Sequence, residues 1–320
     1  MAASEQGTIK PAPNFNAETD SETLSKAMKG AGTDEKAIID VLTKRSSDQR
    51  QEIFTKYKSM YGRDLVDDLK SELSGNFRDV IVSLMRPKSR FDAISLRKAM
   101  KGLGTDEEVL IEVICTKTNS EIESIKTEYK AENDRDLEKD IVSETSGHFK
   151  QLLVSLLQAK RDESTTVDAA KAQADAQALY DAGEARWGTD ESKFNEIFAT
   201  RSYAHLQKVF QVYPTVSKKN RSITDAIKGE MSGDIQNGML AIVGCVQSRP
   251  TYFAEKLYKT MKGLGTKDDT LIRIVVSRSE IDLGTIKQIF KDKYGKTLHE
   301  FIHGDTSGDY RNALLSIVGN

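Results

Sequence analysis

The segment Met28-Lys-Gly-Ala-Gly-Thr-Asp34 decides the fold, because close copies of it recur along the chain of 320 residues. The copies are Met100-Lys-Gly-Leu-Gly-Thr-Asp106, Ala185-Arg-Trp-Gly-Thr-Asp190 and Met261-Lys-Gly-Leu-Gly-Thr-Lys267. A second motif, an acidic residue followed after one position by Ser-Gly, accompanies each copy, at Glu72, Glu144, Glu230 and Asp305. Self-similarity of this kind indicates one structural unit that is repeated four times.

The two motifs keep a nearly fixed separation. From the last glycine of the first motif to the acidic residue there are 40 positions in three of the repeats, namely Gly32 to Glu72, Gly104 to Glu144 and Gly265 to Asp305. The third repeat has 42 positions from Gly188 to Glu230, and we expect its extra length in the loop around Pro214 to Asn220. A turn that only joins two helices does not require a distant acid, so this register favours a shared function.

Composition and hydrophobic spacing both favour an all-α chain. The chain has only five prolines, with 38% hydrophobic and 30% charged residues, which suits helices around a sizeable core. In the first repeat, Phe77, Val80, Ile81 and Leu84 have the i, i+3, i+4, i+7 spacing of a helix with one buried face. We predict five helices in this repeat, at about Ser21–Lys29, from an N-cap at Thr33, Asp48–Met60, Leu65–Leu73 and Phe77–Met85.

The charge balance excludes bulk attraction to nucleic acid or to an acidic bilayer. The formal net charge is −2 and the isoelectric point is about 6.2, so a local patch or a bound cation must supply any positive charge. Met1 to Asn14 lack the apolar run of a signal peptide, and no stretch approaches the ~20 apolar residues of a membrane span. We therefore expect a cytoplasmic protein that contacts membranes peripherally. Cys115 and Cys245 are predicted to be buried thiols in a reducing compartment.

The glycine-rich segment and the distant acid together suit calcium. Glycine reaches backbone angles that turn carbonyl oxygens outward, and Ca²⁺ takes six to eight oxygen ligands. The carbonyls of Met28, Gly30 and Gly32 could supply three, and Glu72 one or two more. A phosphate oxygen would complete the shell, which would make calcium affinity and membrane affinity mutually dependent. The alternative is a plain helix end followed by a helix start, with no ion.

Lys-Gly-x-Gly-Thr-Asp loops paired with acid-x-Ser-Gly closely resemble the annexins, over about Asn16 to Asn320. The resemblance implies four homologous five-helix repeats arranged as a curved disc, and calcium-dependent, reversible binding to acidic phospholipids such as phosphatidylserine. It places a tail at 1–15, repeats at 16–87, 88–160, 172–247 and 248–320, and a linker at 161–171. The polar stretch Lys160–Asp168 lies in the widest interval between repeats and indicates two halves of two repeats each.

The resemblance also implies the ligands of each site. The first three sites would use the carbonyls of Met28, Gly30 and Gly32 with Glu72, those of Met100, Gly102 and Gly104 with Glu144, and those of Gly183, Arg186 and Gly188 with Glu230. The fourth would use Met261, Gly263 and Gly265 with Asp305. The third loop, Gly183-Glu-Ala-Arg-Trp-Gly188, is one residue longer and has Arg186 in place of a glycine. Lys267 replaces the loop acid of the fourth repeat.

Loop side chains add an argument for lipid contact. Trp187 is the only tryptophan, and tryptophan favours headgroup depth, although burial in the core is the alternative. Leu103 and Leu264 hold the equivalent place in their loops, as Ala31 does in the first. Basic loop residues could each add about 1 kcal/mol near an anionic surface, and these are Lys29, Lys101, Arg186 and Lys262.

Other functions find less support in the sequence. There is no EF-hand pattern, no P-loop and no arrangement of nucleophile and base, so we predict no enzymatic activity and no nucleic-acid partner. A helical-repeat scaffold for protein partners remains the alternative function. The resemblance makes lateral self-association on membranes plausible, and the tail carries no motif that identifies a partner. It also implies a polar channel at Asp92, Lys117, Arg273 and Asp282, for which structural ion pairs are the alternative.

Overall fold

The computed structural model describes residues 6–30, 32–263 and 265–319, and within them helices are the only regular structure. This confirms the all-α prediction. The helices of this described part are α1 (Ala17–Ala27), α2 (Glu35–Leu42), α3 (Ser47–Tyr61), α4 (Leu65–Glu72), α5 (Gly75–Leu84), α6 (Lys88–Ala99), α7 (Glu107–Ile114), α8 (Asn119–Asn133), α9 (Leu137–Glu144), α10 (Gly147–Leu157), α11 (Ala169–Ala182), α12 (Glu191–Thr200), α13 (Tyr203–Val216), α14 (Ile223–Glu230), α15 (Gly233–Met261), α16 (Asp268–Arg278), α17 (Leu283–Tyr294), α18 (Leu298–Asp305) and α19 (Gly308–Val318).

The first repeat contains the five predicted helices, α1 to α5, with different ends. α1 begins at Ala17 because the Asn16 side chain accepts hydrogen bonds from two main-chain N–H groups of its first turn. The N-cap of α2 is Asp34, whose side chain accepts from Ala37 N at 2.9 Å. The prediction of Thr33 as the cap is therefore wrong, and the Thr33 hydroxyl has another partner, described below.

The apolar stripe predicted in the first repeat is confirmed as core. Val80, Ile81 and Leu84 are fully buried, and Phe77 is 8% exposed. They pack in one cluster with residues of α2 such as Ile38 and with residues of the fourth repeat. Burial of each such side chain contributes roughly 1.5–3 kcal/mol relative to exposure, so these faces hold the helices together.

The third and fourth repeats share one long element. α15 runs from Gly233 to Met261, but Ser248 has extended angles, φ −168° and ψ 105°, which divide it into two helices. Pro250 lies two residues after the break, in the first turn of the second helix, where the N–H that proline lacks is not needed. Counted with this break, each of the four repeats supplies five helices.

The chain divides into two compact units, which do not follow the predicted halves. The first contains the described residues within Met1–Phe91 and Pro250–Asn320, and the second is Asp92–Arg249. The first repeat is thus grouped with the fourth, and the second with the third. The prediction that Lys160–Asp168 separates two halves is wrong, because this stretch lies inside the second unit. Its ends are held there: Asp162 N, for example, donates to the Thr200 carbonyl at 2.9 Å.

Several polar groups are buried in ion pairs within each unit. Lys117 is paired with Asp92 in the second unit, and Arg278 binds Asp282 at 2.6 Å in the first. These contacts agree with the interpretation of such charged positions as structural ion pairs. Cys115 and Cys245 are buried and form no disulfide, as predicted.

The described part of the tail is bound to the fourth repeat. Thr8 N and Ile9 N both donate to the Ser279 carbonyl, at 2.7 and 3.0 Å, and Gly284 N donates to the Gln6 carbonyl at 2.7 Å. Gly284 is required at this contact, since a Cβ there would lie 2.8 Å from the Gln6 oxygen. None of the helices in 6–30, 32–263 and 265–319 combines the length and the apolar character needed to cross a bilayer.

Candidate metal sites

The first motif of each repeat forms the connection between two helices. We call these connections loop 1 (residues 28–33), loop 2 (100–105), loop 3 (183–189) and loop 4 (261–266). Eight of their glycines were predicted as ligands, and seven of these have φ between 75° and 120°, namely Gly30, Gly32, Gly102, Gly104, Gly188, Gly263 and Gly265. The eighth predicted glycine, Gly183, has φ −119°.

Left-handed angles of this kind are what glycine provides and other residues avoid. Gly102, at φ 111°, is an example: an added Cβ would meet no atom within 4 Å, so the position needs glycine for its backbone and not for space. The same open surroundings hold for the other loop glycines with positive φ. The carbonyls of these loops therefore lie on exposed backbone, where an ion and a lipid headgroup can both approach.

One hydrogen bond closes each of the four loops. Asp34 N donates to the Ala27 carbonyl at 2.8 Å, which joins the start of α2 to the end of α1. The equivalent bonds measure between 2.7 and 3.1 Å, and they are Asp106 to Ala99, Asp190 to Ala182 and Lys267 to Thr260. The first residue of loops 2 and 4 is also anchored, because the side chains of Met100 and Met261 are each 3% exposed. The ends of each loop are thus fixed before any ion binds.

The acidic residue of the second motif ends the fourth helix of its repeat and lies at the loop. Threonine joins the two: the Thr33 hydroxyl donates to Glu72 Oε2 at 3.4 Å. The same link joins Thr105 to Glu144 Oε2 at 3.2 Å. The distance from Thr266 to Asp305 Oδ2 is 3.3 Å. In these three repeats the structure therefore brings the loop and the predicted carboxylate together, and the threonines are contacts that the sequence reasoning did not single out.

Loop 3 is built differently. The Thr189 hydroxyl donates to the main-chain oxygen of Glu230, at 2.8 Å, and not to its carboxylate. The Glu230 carboxylate instead lies 3.8 Å from Arg221 Nη1. Gly183 is buried, and its carbonyl accepts a hydrogen bond from Arg186 N at 3.1 Å. This carbonyl retains one lone pair for an ion.

Aromatic residues of the third helix brace the helix that ends in the acid. The Tyr57 hydroxyl donates to Asp68 at 2.7 Å, one helical turn before Glu72. Burial, followed by this hydrogen bond, raises the pKa of Tyr57 to about 12. Tyr129 and Asp140 form the same pair in the second repeat, at 2.6 Å. The tyrosines hold the site helix against the third helix in a fixed register.

The other two repeats brace this helix in other ways. In the fourth, Phe290 and Phe301 take the place of the tyrosine and the aspartate, with ring centroids 5.1 Å apart. In the third, the position one turn before Glu230 is Ala226, which is fully buried. Tyr213 of that repeat donates instead to Glu184 of loop 3, at 2.9 Å.

The predicted lipid-contact residues are exposed where the structure describes them. Trp187 and Leu103 have relative exposures of 101% and 109%, so both apolar side chains project into solvent. The basic residues Lys29, Lys101, Arg186 and Lys262 are exposed as well. Ala31 and Leu264 lie outside the described residues. Fully exposed apolar side chains on closed loops are costly in water and favourable at a membrane interface.

A site made mainly of backbone oxygens differs from most side-chain metal centres. Among the described residues, no three His, Cys, Asp or Glu side chains gather as possible metal ligands. The loops offer carbonyl oxygens with one carboxylate each, which is a donor set for a hard cation such as Ca²⁺ and not for zinc or copper. The residues present therefore fit calcium.

Comparison with known proteins gives a consistent result. The family model described as "Annexin" matches residues 19–84, 91–156, 174–242 and 252–317. Annexin A7 from Homo sapiens is 56% identical over 314 residues, which cover 98% of this chain and 64% of that protein. The chain thus spans less than two thirds of the length of this relative.

Solved structures share the fold over nearly the whole chain. The structure named annexin III has a TM-score of 0.96 and 47% identity, and the match covers 99% of this chain and 98% of that one. Calcium-bound annexin (Sm)1 has a TM-score of 0.87 and 36% identity, covering 99% and 94%. The prediction of four homologous five-helix repeats is confirmed.

Proposed function

The chain belongs to the annexin family, and we propose that it binds acidic phospholipid membranes reversibly through calcium ions held at loops 1 to 4. Membership of the family implies calcium-dependent phospholipid binding. The finer proposal concerns the ligands. They are Met28, Gly30, Gly32 and Glu72; Met100, Gly102, Gly104 and Glu144; Gly183, Arg186, Gly188 and Glu230; and Met261, Gly263, Gly265 and Asp305.

The link between each loop and its acid carries this proposal. A threonine of the loop bonds to the residue that ends the fourth helix in all four repeats, across 39 positions in the first and 41 in the third. Such a contact holds a carboxylate beside exposed carbonyls of a glycine loop. No purely structural purpose requires an acid at that place, because the loop is already closed by its own main-chain hydrogen bond.

The number of oxygen ligands in each loop explains why calcium binding and membrane binding should depend on each other. Three carbonyls and at most two carboxylate oxygens leave a shell of six to eight ligands incomplete. A bound Ca²⁺ would supply the positive charge that a protein of net charge −2 lacks, and would bridge the loop oxygens to a lipid phosphate. The calcium-bound state of a relative, annexin (Sm)1, supports the choice of ion.

Side chains around the loops would strengthen the contact. Trp187, Leu103 and Leu264 are proposed to enter the headgroup region, and Lys29, Lys101, Arg186 and Lys262 to meet lipid phosphates, at about 1 kcal/mol each. A phosphatidylserine-type membrane is the proposed partner. A cytoplasmic, peripheral location and lateral self-association on the membrane belong to the same proposal, and they follow from the family alone.

Cosedimentation with vesicles of phosphatidylserine and phosphatidylcholine tests the proposal. The protein should sediment with calcium and return to solution with a chelator. The quadruple variant Glu72→Gln, Glu144→Gln, Glu230→Gln, Asp305→Asn should require far more calcium, because each site loses its proposed carboxylate ligand.

A matched control separates site geometry from charge. Glu52, Asp67, Glu123 and Asp292 are exposed acids outside the four loops, and their replacement by amides removes the same four negative charges. This control should bind vesicles at least as well as the unchanged protein, since the chain becomes more positive. Equal calcium requirements for the two quadruple variants would show that the proposed ligands are wrong.

A further inference from the structure

The connection between the third and fourth helices is longer in the third repeat than in the first two. α13 ends at Val216 and α14 begins at Ile223, so this connector comprises residues 217–222. The equivalent connectors are residues 62–64 and 134–136. This difference, with an α13 one residue shorter than α3, accounts for the 42-residue separation of Gly188 and Glu230. The longer connector brings two polar residues, Ser217 and Arg221, to loop 3.

These residues enclose the carboxylate of Glu184, which loop 3 turns inward. The Glu184 side chain is only 4% exposed. It accepts hydrogen bonds from the hydroxyls of Tyr213, at 2.9 Å, and Ser217, at 3.2 Å. A buried carboxylate also needs a countercharge, and the guanidinium of Arg221 lies 3.8 Å from Glu184 Oε2.

The same nitrogen of Arg221 faces the proposed ligand. Arg221 Nη1 is 3.8 Å from Glu230 Oε1 as well, so one positive group stands between two carboxylates. Both distances exceed a hydrogen bond, and the Arg221 side chain is 33% exposed. The guanidinium is therefore attracted to Glu230 but is not locked to it.

Gly229 leaves the space for this approach. A Cβ at position 229 would lie 3.1 Å from Arg221 Nη1. The equivalent position is Ser71 in the first repeat and Ser143 in the second. In those repeats the acid accepts a hydrogen bond from the loop threonine, whereas Glu230 has the arginine beside it.

We propose that Arg221 competes with calcium for Glu230 and thereby raises the calcium concentration at which loop 3 engages a membrane. This inference rests on the proposed calcium-dependent membrane binding and adds a regulator to one of its sites. A dication and a guanidinium repel each other when they share one carboxylate. Arg221 can withdraw from Glu230 at small cost, because Glu184 lies at the same distance and keeps it paired.

The test is a calcium titration of the full chain with vesicles of phosphatidylserine and phosphatidylcholine in equal parts. Trp187 is the sole tryptophan and lies in loop 3, so its fluorescence reports this loop, and cosedimentation reports the whole protein. Arg221→Gln should lower the calcium midpoint of the Trp187 signal about two- to fivefold, the range of an exposed ion pair. Lys219→Gln, which removes an exposed positive charge from the same connector, should leave that midpoint unchanged.

Two further variants exclude a merely structural effect. Gly229→Ala keeps the charge but pushes the guanidinium away, and it should lower the midpoint in the same direction. In a Glu230→Gln background, Arg221→Gln should cause no further shift, since the shared carboxylate is gone. Thermal unfolding without calcium reports whether each variant remains folded.

The outcomes separate this inference from the proposed function. Absence of any calcium-dependent vesicle binding by the unchanged protein would overturn the proposed function itself. Normal binding with an unshifted Trp187 midpoint in both Arg221→Gln and Gly229→Ala would overturn only the competition. A higher midpoint in Arg221→Gln would also overturn it, and would assign Arg221 to lipid phosphate or to loop anchoring.

Discussion

Replacement of Gly102 by alanine isolates the contribution of loop backbone to the site. Gly102 has φ 111°, and no atom lies within 4 Å of the added methyl group. The variant therefore introduces no clash, and its whole cost is backbone strain of about 1–3 kcal/mol. Either the loop keeps its shape and the protein loses that much stability, or the loop relaxes and its carbonyls leave their positions.

The two responses are measured separately. Chemical denaturation without calcium gives the loss in the free energy of unfolding. For the second response, loop 2 is studied alone, in a background where Glu72, Glu230 and Asp305 are replaced by their amides. If the loop relaxes in the free protein, calcium binding must force residue 102 back into its strained backbone angles. That cost of about 1–3 kcal/mol should raise the calcium requirement for vesicle binding about 5- to 150-fold.

Gly62 provides the matched control for this prediction. It also has positive φ, 68°, and open surroundings, but it caps the C-terminus of α3 and belongs to no loop of the sites. Gly62→Ala should cost about 1–2 kcal/mol of stability with no change in calcium requirement. If Gly102→Ala changed neither stability nor calcium requirement, the left-handed backbone would not be what the site needs, and the reasoning from glycine would fail.

Two predictions concern the brace in the second repeat. Tyr129→Phe removes the hydrogen bond to Asp140, whose side chain is 6% exposed, and should lower the free energy of unfolding by about 1–3 kcal/mol in urea; an unchanged midpoint would contradict this. The hydrogen bond from Arg135 lowers the pKa of Asp140. The stability that Asp140 provides should then be complete above about pH 4 and disappear as pH falls through its folded pKa. In Asp140→Asn the free energy of unfolding should therefore depend less on pH below about pH 4.

Local chemistry made much of the fold predictable. The stripe from Phe77 to Leu84 is buried because residues spaced at three and four positions share one helix face, whatever surrounds them. The recurring register from Gly32 to Glu72 indicated that loop and acid meet, and Thr33 joins them in the structure. Neither motif alone would indicate a site, but chance does not keep two motifs at nearly the same separation in four repeats. The repetition therefore made the prediction strong.

The predictions that proved wrong failed because they depend on contacts between residues far apart in the sequence. Asp34 and Thr33 are both good N-caps, and the choice between them is decided by Glu72, which draws the Thr33 hydroxyl away. The grouping of the first repeat with the fourth depends on which core faces match, as in the cluster shared by Val80 and Leu314. Neither preference appears in the spacing of one segment, so no local pattern could have revealed it.

The third repeat departs from the others through changes that depend on one another. Its fourth helix carries Ala226 where the first two repeats have an aspartate that accepts a hydrogen bond from a tyrosine. Tyr213 therefore has no such aspartate to bind, and its hydroxyl donates to Glu184 instead. A buried Glu184 without a positive neighbour would be unfavourable, and the longer connector supplies Arg221. Arg221 in turn needs the space at Gly229. Each change makes the next acceptable. Their common result is a positively charged guanidinium, that of Arg221, beside Glu230, the proposed carboxylate ligand of loop 3. The divergence of this repeat therefore alters the electrostatics of one site while its loop remains closed by the same main-chain hydrogen bond as the other three.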